Sequence, residues 1–163
     1  MTKSTVTQSS EGIDPHLAGH YVLAACEAAA CRNVRPLKFL KLVYIAHGYH
    51  LAIWDGPLLN VPAEAWKYGP VIRDLYFAVR HFGGREIPWG LLAGYVPKEE
   101  PDNSSYKEVI AEVIKAYGEY DGLMLSAATH QKGTPWSITR DRYGPDAPID
   151  NELLKNYYKK LLA

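Results

Sequence analysis

The segment from Pro36 to Trp54 constrains the fold of this chain more than any other part of the sequence. Apolar side chains recur there at helical spacing and form two adjacent stripes on the surface of a helix. One stripe contains Leu40, Tyr44, His47, Leu51 and Trp54, and the other contains Phe39, Val43, Ala46, His50 and Ile53. Because a helix that is apolar on adjoining sides packs against several neighbours, the pattern predicts a buried central helix. Lys38, Lys41 and Asp55 lie near its ends, where we expect their charges to reach water.

The remaining helices are predicted from start and stop signals. Start signals occur at Asp14-Pro15, Ser105 with Glu108, Thr134-Pro135 and Asp150, and stop signals occur at Gly83-Gly84 and Gly118. The helices are expected over about residues 14–31, 36–55, 70–82, 105–117 and 123–131, from 135 onward, and over 150–162, with a long loop at 85–101. A length of 163 residues suits one domain. We therefore predict an all-α protein, a single compact domain of about six to seven helices around the buried helix at about 36–55.

The first 13 residues differ from the rest of the chain. They are polar, rich in Ser and Thr, and lack the apolar periodicity of a helix or strand. We therefore predict a disordered leader over residues 1–13 and a single helical domain over residues 14–163. No apolar run approaches the roughly 18 residues of a membrane span, and the leader lacks the apolar core of a secretory signal. These features predict a cytoplasmic protein.

The charges of the chain balance, because Lys plus Arg and Asp plus Glu each number 18. A neutral protein has no overall attraction for a nucleic-acid backbone or an anionic membrane surface. A basic recognition helix, which a DNA-binding regulator would need, is also not visible. The sequence therefore disfavours nucleic acid and membranes as partners.

The two cysteines, Cys26 and Cys31, stand five residues apart in an alanine-rich stretch that we predict to be helical. At that spacing they would lie on different faces of a helix, too far apart for a disulfide. The spacing also differs from that of a CxxC metal pair. We therefore expect two reduced thiols.

The stretch from Glu64 to Val71 combines two large aromatic residues, a lysine and a Gly-Pro pair. If residues 66–68 were extended, Trp66 and Tyr68 would lie on one side and Lys67 on the other. Gly can adopt the dihedral angles of a sharp entry, and Pro suits the first position of a helix. We therefore predict a rigid corner that opens the helix beginning at Pro70.

Four separated motifs carry a resemblance to a known family. They are Lys-Leu-Val-Tyr-Ile-Ala-His-Gly-Tyr-His-Leu at 41–51, Glu-Ala-Trp-Lys-Tyr-Gly-Pro-Val at 64–71, Leu-Ser to Thr-His at 125–130 with Pro135-Trp136, and a terminal helix after Ile149. In this order they resemble the SocA-like antitoxins, or Panacea domain, a bacterial and phage family that includes the GepA-type phage-associated proteins. The resemblance covers about residues 36–158.

The resemblance implies an all-helical antitoxin of a bacterial or prophage toxin-antitoxin system. Such a protein binds a cognate protein toxin, encoded by a neighbouring gene, and silences it by direct contact. It implies no catalytic residues, cofactor or metal. We interpret five motif residues as structural: His47, Gly69, Pro70, His130 and Trp136.

The corner and the helix after it are our candidate for the partner-binding face. Tyr and Trp are enriched in binding hot spots, and nearby cations can form a polar surround. Arg73 and Arg80 stand seven residues apart, two helical turns, and therefore share one exposed side of the helix. The candidate face consists of Trp66, Lys67, Tyr68, Arg73 and Arg80.

Two other function classes stay open. His47 and His50 stand three apart on one helix and could form, with His130, the metal site of a hydrolase. The pair lacks the intervening glutamate of an HExxH motif, and both histidines lie on apolar stripes, so we favour a structural role. The second alternative is a helical adaptor or regulatory protein without a toxin partner.

Overall fold

Seven α-helices account for most of residues 11–163, the part of the chain that this computed structural model describes. They are α1 (Pro15–Ala28), α2 (Pro36–Trp54), α3 (Arg73–Val79), α4 (Ser104–Tyr117), α5 (Gly122–His130), α6 (Pro135–Tyr143) and α7 (Asn151–Leu162). Short 3-10 helices occupy Arg80–Phe82 and Ala93–Tyr95. The predicted all-α class is confirmed.

A small antiparallel sheet, which the sequence analysis did not predict, accompanies the helices. Its strands are β1 (Ala63–Trp66), β2 (Gly69–Val71) and β3 (Pro148–Ile149), in the order β2-β1-β3. Pro70 therefore lies in a strand, and α3 begins three residues later, at Arg73. The prediction that Pro70 opens this helix was wrong, because the Gly-Pro pair belongs to a hairpin.

The central position of α2 is confirmed. It packs against α1, α4, α5 and α7, and almost all of its side chains between Lys38 and Ala52 are buried. Ile53 and Trp54, in its last turn, remain about half exposed. The expectation that Lys38 and Lys41 reach water was wrong, since both are almost completely buried. Their ammonium groups instead donate hydrogen bonds to main-chain carbonyls, at Arg32 and Pro70.

Helix starts follow the predicted caps at three places. The side chains of Asp14, Thr134 and Asp150 accept hydrogen bonds from main-chain N–H groups in the first turns of α1, α6 and α7. Such bonds satisfy donors that lack a partner within the helix. The start signal at Ser105 and Glu108 predicted a capping box with Ser105 as the N-cap residue. That prediction was wrong, because α4 begins at Ser104 and its N-cap residue is Asn103.

The N-terminal segment joins the fold before Asp14. The main-chain N–H of Ile13 donates to Leu58 O at 2.8 Å, and that of Asn60 donates to Ile13 O at 3.0 Å. Gly12 also lies against this segment, since a Cβ there would be 2.5 Å from the carbonyl carbon of Leu59. Gly12 and Ile13, which we assigned to the leader, therefore contact the domain. The rest of the predicted leader, residues 1–10, lies outside the described part of the chain.

None of the helices within 11–163 is both long and apolar enough to cross a membrane.

Candidate functional site

The predicted corner is a β-hairpin. β1 pairs with β2 so that Trp66 stands opposite Gly69, which leaves Lys67 and Tyr68 as the turn. The left-handed step falls on Gly69, with φ of 126°. Trp66 is partly buried, whereas Tyr68 is 75% exposed. The two rings therefore differ in environment, because residues 66–68 are not the continuous extended segment that we assumed.

Three side chains from other elements hold this hairpin through its main-chain carbonyls. Lys41 Nζ, on α2, donates to Pro70 O at 2.9 Å. Trp136 Nε1 and Arg140 Nη1, both on α6, donate to Trp66 O at 2.6 Å and Ala65 O at 2.8 Å. These bonds satisfy polar groups that would be costly to bury unpaired, and they fix the hairpin relative to two helices.

Sequence reasoning missed two members of this set, Arg140 and the buried Lys41. The Lys41 side chain is almost completely buried, and this burial lowers the pKa of its ammonium group to about 8. Its position on α2 was a sequence signal for burial, since Leu40 and Leu42 on either side of it belong to the core. The partner that makes a buried lysine tolerable lies 29 residues away in sequence and could not be inferred.

Gly69 is required by both its backbone and its surroundings. A φ of 126° is rarely adopted by residues with a side chain, and a Cβ at this position would lie 2.8 Å from Lys41 Nζ. The same Cβ would lie 3.7 Å from Nδ1 of His130. Residues from the first three sequence motifs, Lys41, Gly69 and His130, therefore lie close together.

We expect Gly69→Ala to lower the free energy of unfolding by about 1 to 3 kcal/mol, because it combines backbone strain with a displaced Lys41. Chemical denaturation measures the change. Gly84→Ala is the matched control, since Gly84 is exposed and a Cβ there would meet no atom within 4 Å. Equal stability of the two variants would contradict this account of Gly69.

His130 and Trp136 form the elbow between α5 and α6. Their rings meet edge to face, with centroids 5.3 Å apart, and His130 Nδ1 is hydrogen bonded to Ser126 O. The Arg140 guanidinium lies over the Trp136 ring, 5.3 Å from its centroid. The structure thus brings together the two elbow residues that the sequence analysis singled out.

The histidines of α2 have separate hydrogen-bond partners. His47 Nδ1 accepts from Leu59 N, and Nε2 donates to Asn151 Oδ1, both at 3.3 Å. Burial lowers the pKa of His47 to about 4, so the ring is neutral at pH 7. His50 Nδ1 donates to Gly56 O at 2.7 Å, and burial lowers its pKa as well. Across residues 11–163, no three His, Cys, Asp or Glu side chains are placed to hold a metal ion.

A surface of cations stacked on aromatic rings extends from the hairpin along α3. Lys67 lies over Tyr68, Arg73 over Trp66 and Arg80 over Phe77, at 5.4, 5.8 and 4.8 Å from the ring centroids. We call this the cation-aromatic face, and its members are Trp66, Lys67, Tyr68, Arg73, Phe77 and Arg80. Phe77, 47% exposed, was missed, although its position off the apolar stripe of α3 was a signal.

Glu64 links two members of the cation-aromatic face. Its carboxylate accepts hydrogen bonds from Arg73, at 3.1 and 3.2 Å, and from Trp66 Nε1 at 2.9 Å. The Arg73 guanidinium and the indole N–H lower the pKa of this carboxyl against the opposing effect of desolvation by burial. The carboxylate therefore holds the indole and the guanidinium together at the base of the face.

Comparison with known proteins shows the family to which the chain belongs. A family model described as antitoxin SocA-like, Panacea domain, matches residues 39–137, more than half of the chain. The chain belongs to the SocA-like antitoxin family. Antitoxin SocA of Caulobacter vibrioides (strain NA1000 / CB15N) is 30% identical over 139 residues, which cover 82% of this chain and 73% of that protein. No solved structure matches the chain.

The family match includes most of the site. Lys41, the β1-β2 hairpin, His130 and Trp136 lie inside residues 39–137, as does the whole cation-aromatic face. Arg140 lies outside the matched segment. The resemblance drawn from four sequence motifs is therefore confirmed, and the structure shows that the first three of them converge on one hairpin.

Proposed function

We propose that this protein is an antitoxin that neutralises a cognate protein toxin by direct binding, without chemical change to either protein. Membership of the SocA-like family supports the antitoxin role. The toxin would be encoded by a neighbouring gene, and both proteins would act in the cytoplasm. The observation that supports direct binding is the cation-aromatic face. It is largely exposed, and it begins on a hairpin that three side-chain donors hold.

The fixed hairpin favours binding energetically. A surface that is ordered before association loses less conformational freedom when it binds. Aromatic side chains supply contact area with few rotatable bonds, and arginines supply directed hydrogen-bond donors, which is why both are frequent in hot spots. The face therefore has the composition and the rigidity of a protein-binding surface.

The positive charge of the cation-aromatic face indicates which chemical groups a protein partner would present to it. Lys67, Arg73 and Arg80 are exposed, and Glu64 forms an ion pair with Arg73. The protein as a whole is neutral, so negative charge elsewhere on the chain balances this local excess of positive charge. We therefore propose that the toxin contributes carboxylates around an apolar contact with Tyr68 and Phe77.

The triple variant Lys67→Ala, Arg73→Ala, Arg80→Ala is expected to bind the toxin at least about tenfold more weakly, mainly through slower association, with an unchanged melting temperature. The measurement is binding kinetics at two salt concentrations, beside thermal denaturation. The matched control replaces Lys98, Lys115 and Lys160 with alanine, since these three lysines are exposed on other parts of the surface. Full affinity and growth rescue by the first variant would place the interface elsewhere.

Co-expression with the neighbouring gene product tests the proposal as a whole. We expect that product alone to arrest growth, and this protein to restore growth and to copurify with it. A toxic neighbour that is neither bound nor neutralised would refute the antitoxin role. A neighbour that is bound but harmless would favour the helical adaptor without a toxin partner.

A further inference from the structure

The end of α1 brings Cys26 and Cys31 together. After Ala28 the chain turns through Ala30, which has a φ of 56°. The N–H of Ala30 donates to Glu27 O at 3.0 Å, and the N–H of Cys31 donates to Cys26 O at 2.9 Å. This pair of bonds is the Schellman motif, in which the side chains at the positions of Cys26 and Cys31 come into contact.

The two thiols differ in access to solvent. Cys26 is completely buried, whereas Cys31 is partly exposed and lines a surface cleft together with Lys38 and Lys115. Desolvation, with a smaller contribution from the contacting Cys31 thiol, raises the pKa of Cys26 to about 12. The expectation that the two cysteines lie on different faces was therefore wrong, because the helix ends before Cys31. Both are free thiols in this structure.

We propose that Cys26 and Cys31 form a reversible intrachain disulfide in which Cys31 reacts first with a low-molecular-weight disulfide. A disulfide requires α-carbons within about 7 Å, and residues joined by this main-chain hydrogen bond and in thiol contact meet that requirement. The Schellman turn brings Cys31 back toward Cys26 after α1 has ended, so we expect closure without unwinding of α1.

The reaction proceeds by two thiol-disulfide exchanges. The Cys31 thiolate attacks one sulfur of the small disulfide, which forms a mixed disulfide on Cys31 and releases one small thiol. Cys26 then attacks Cys31 Sγ and passes its proton to the departing small thiolate, because Cys26 itself is buried away from solvent. This step forms the intrachain bond and releases the second small thiol. The two protein thiols are oxidised, and the small disulfide is reduced to two thiols.

Oxidised glutathione is the probe for the test, with the full chain folded in buffer. We expect wild-type protein to lose both free thiols, to become lighter by two hydrogens, and to recover both thiols with dithiothreitol. Cleavage after Glu27, which lies between the cysteines, should leave two peptides joined by the disulfide. Cys26→Ser should stop at a glutathione adduct on Cys31, and Cys31→Ser should keep its buried thiol unmodified.

The wild-type end product decides the proposal, so a folding defect in either variant leaves the test intact. An adduct that persists on wild-type Cys31, as in Cys26→Ser, would overturn it. Disulfide-linked dimers through Cys31 would overturn it too. The test uses this chain without a partner, so its outcomes are independent of whether the protein neutralises a toxin.

Discussion

Trp136→Ala is expected to lower the free energy of unfolding by about 3 to 5 kcal/mol, as truncation of a large packed aromatic residue does. The indole fills the elbow between α5 and α6, contacts His130, and donates its N–H to Trp66 O. Its loss therefore removes apolar packing and deprives the Trp66 carbonyl of its side-chain donor. Chemical denaturation monitored by circular dichroism measures the change.

Trp136→Phe separates the two contributions. The variant keeps one aromatic ring in the elbow but loses the N–H and part of the ring volume, so we expect a smaller loss than for Trp136→Ala, about 1 to 3 kcal/mol. Trp136→Ala with unchanged stability but abolished toxin binding would show that the ring contacts the partner rather than supporting the hairpin.

Acidification from pH 6.5 to pH 4 is expected to cost about 3 kcal/mol of stability through His47 alone. Burial lowers the pKa of His47 from 6.5 to about 4 in the folded protein. Between these values the unfolded chain binds a proton that the folded chain does not, so protonation favours unfolding. The contribution is fully present above pH 6.5 and is lost as the pH falls. Burial shifts the pKa of His50 in the same direction, which adds to the effect.

Denaturation curves at several pH values between 4 and 7 test this expectation. His47→Gln should flatten the dependence, because glutamine does not titrate. His81→Gln is the matched control, since His81 lies exposed in the 3-10 helix after α3. A wild-type stability that is constant across this range would contradict the neutral buried His47 of the structure.

The helical part of the fold was predictable because its signals are local. The two apolar stripes of α2 are repeated over five turns, and Asp14, Thr134 and Asp150 carry their capping information within a few residues. Such signals depend on spacing alone. The predicted central helix and most of the helix starts were therefore confirmed.

The sheet and the buried lysine were not predictable, because their partners are distant in sequence. β1 pairs with β3 through Ala63 and Ile149, and each strand is too short to show an alternating pattern. The environment of Lys41 depends on a carbonyl of β2. Likewise, the end of α1 was placed too late because Ala30 occupies the left-handed position where glycine is the usual signal.

The three donors that hold the hairpin become available at different times during synthesis. A ribosome releases the chain from its N-terminus, so Lys41 emerges before the hairpin, whereas Trp136 and Arg140 emerge long after it. Until α6 has left the ribosome, two of the three supporting bonds are missing. The proposed toxin-binding face would therefore mature late, and a nascent or truncated chain that ends before Pro135 would not neutralise its toxin. Under the proposed function, only chains that extend through α6 would neutralise the toxin.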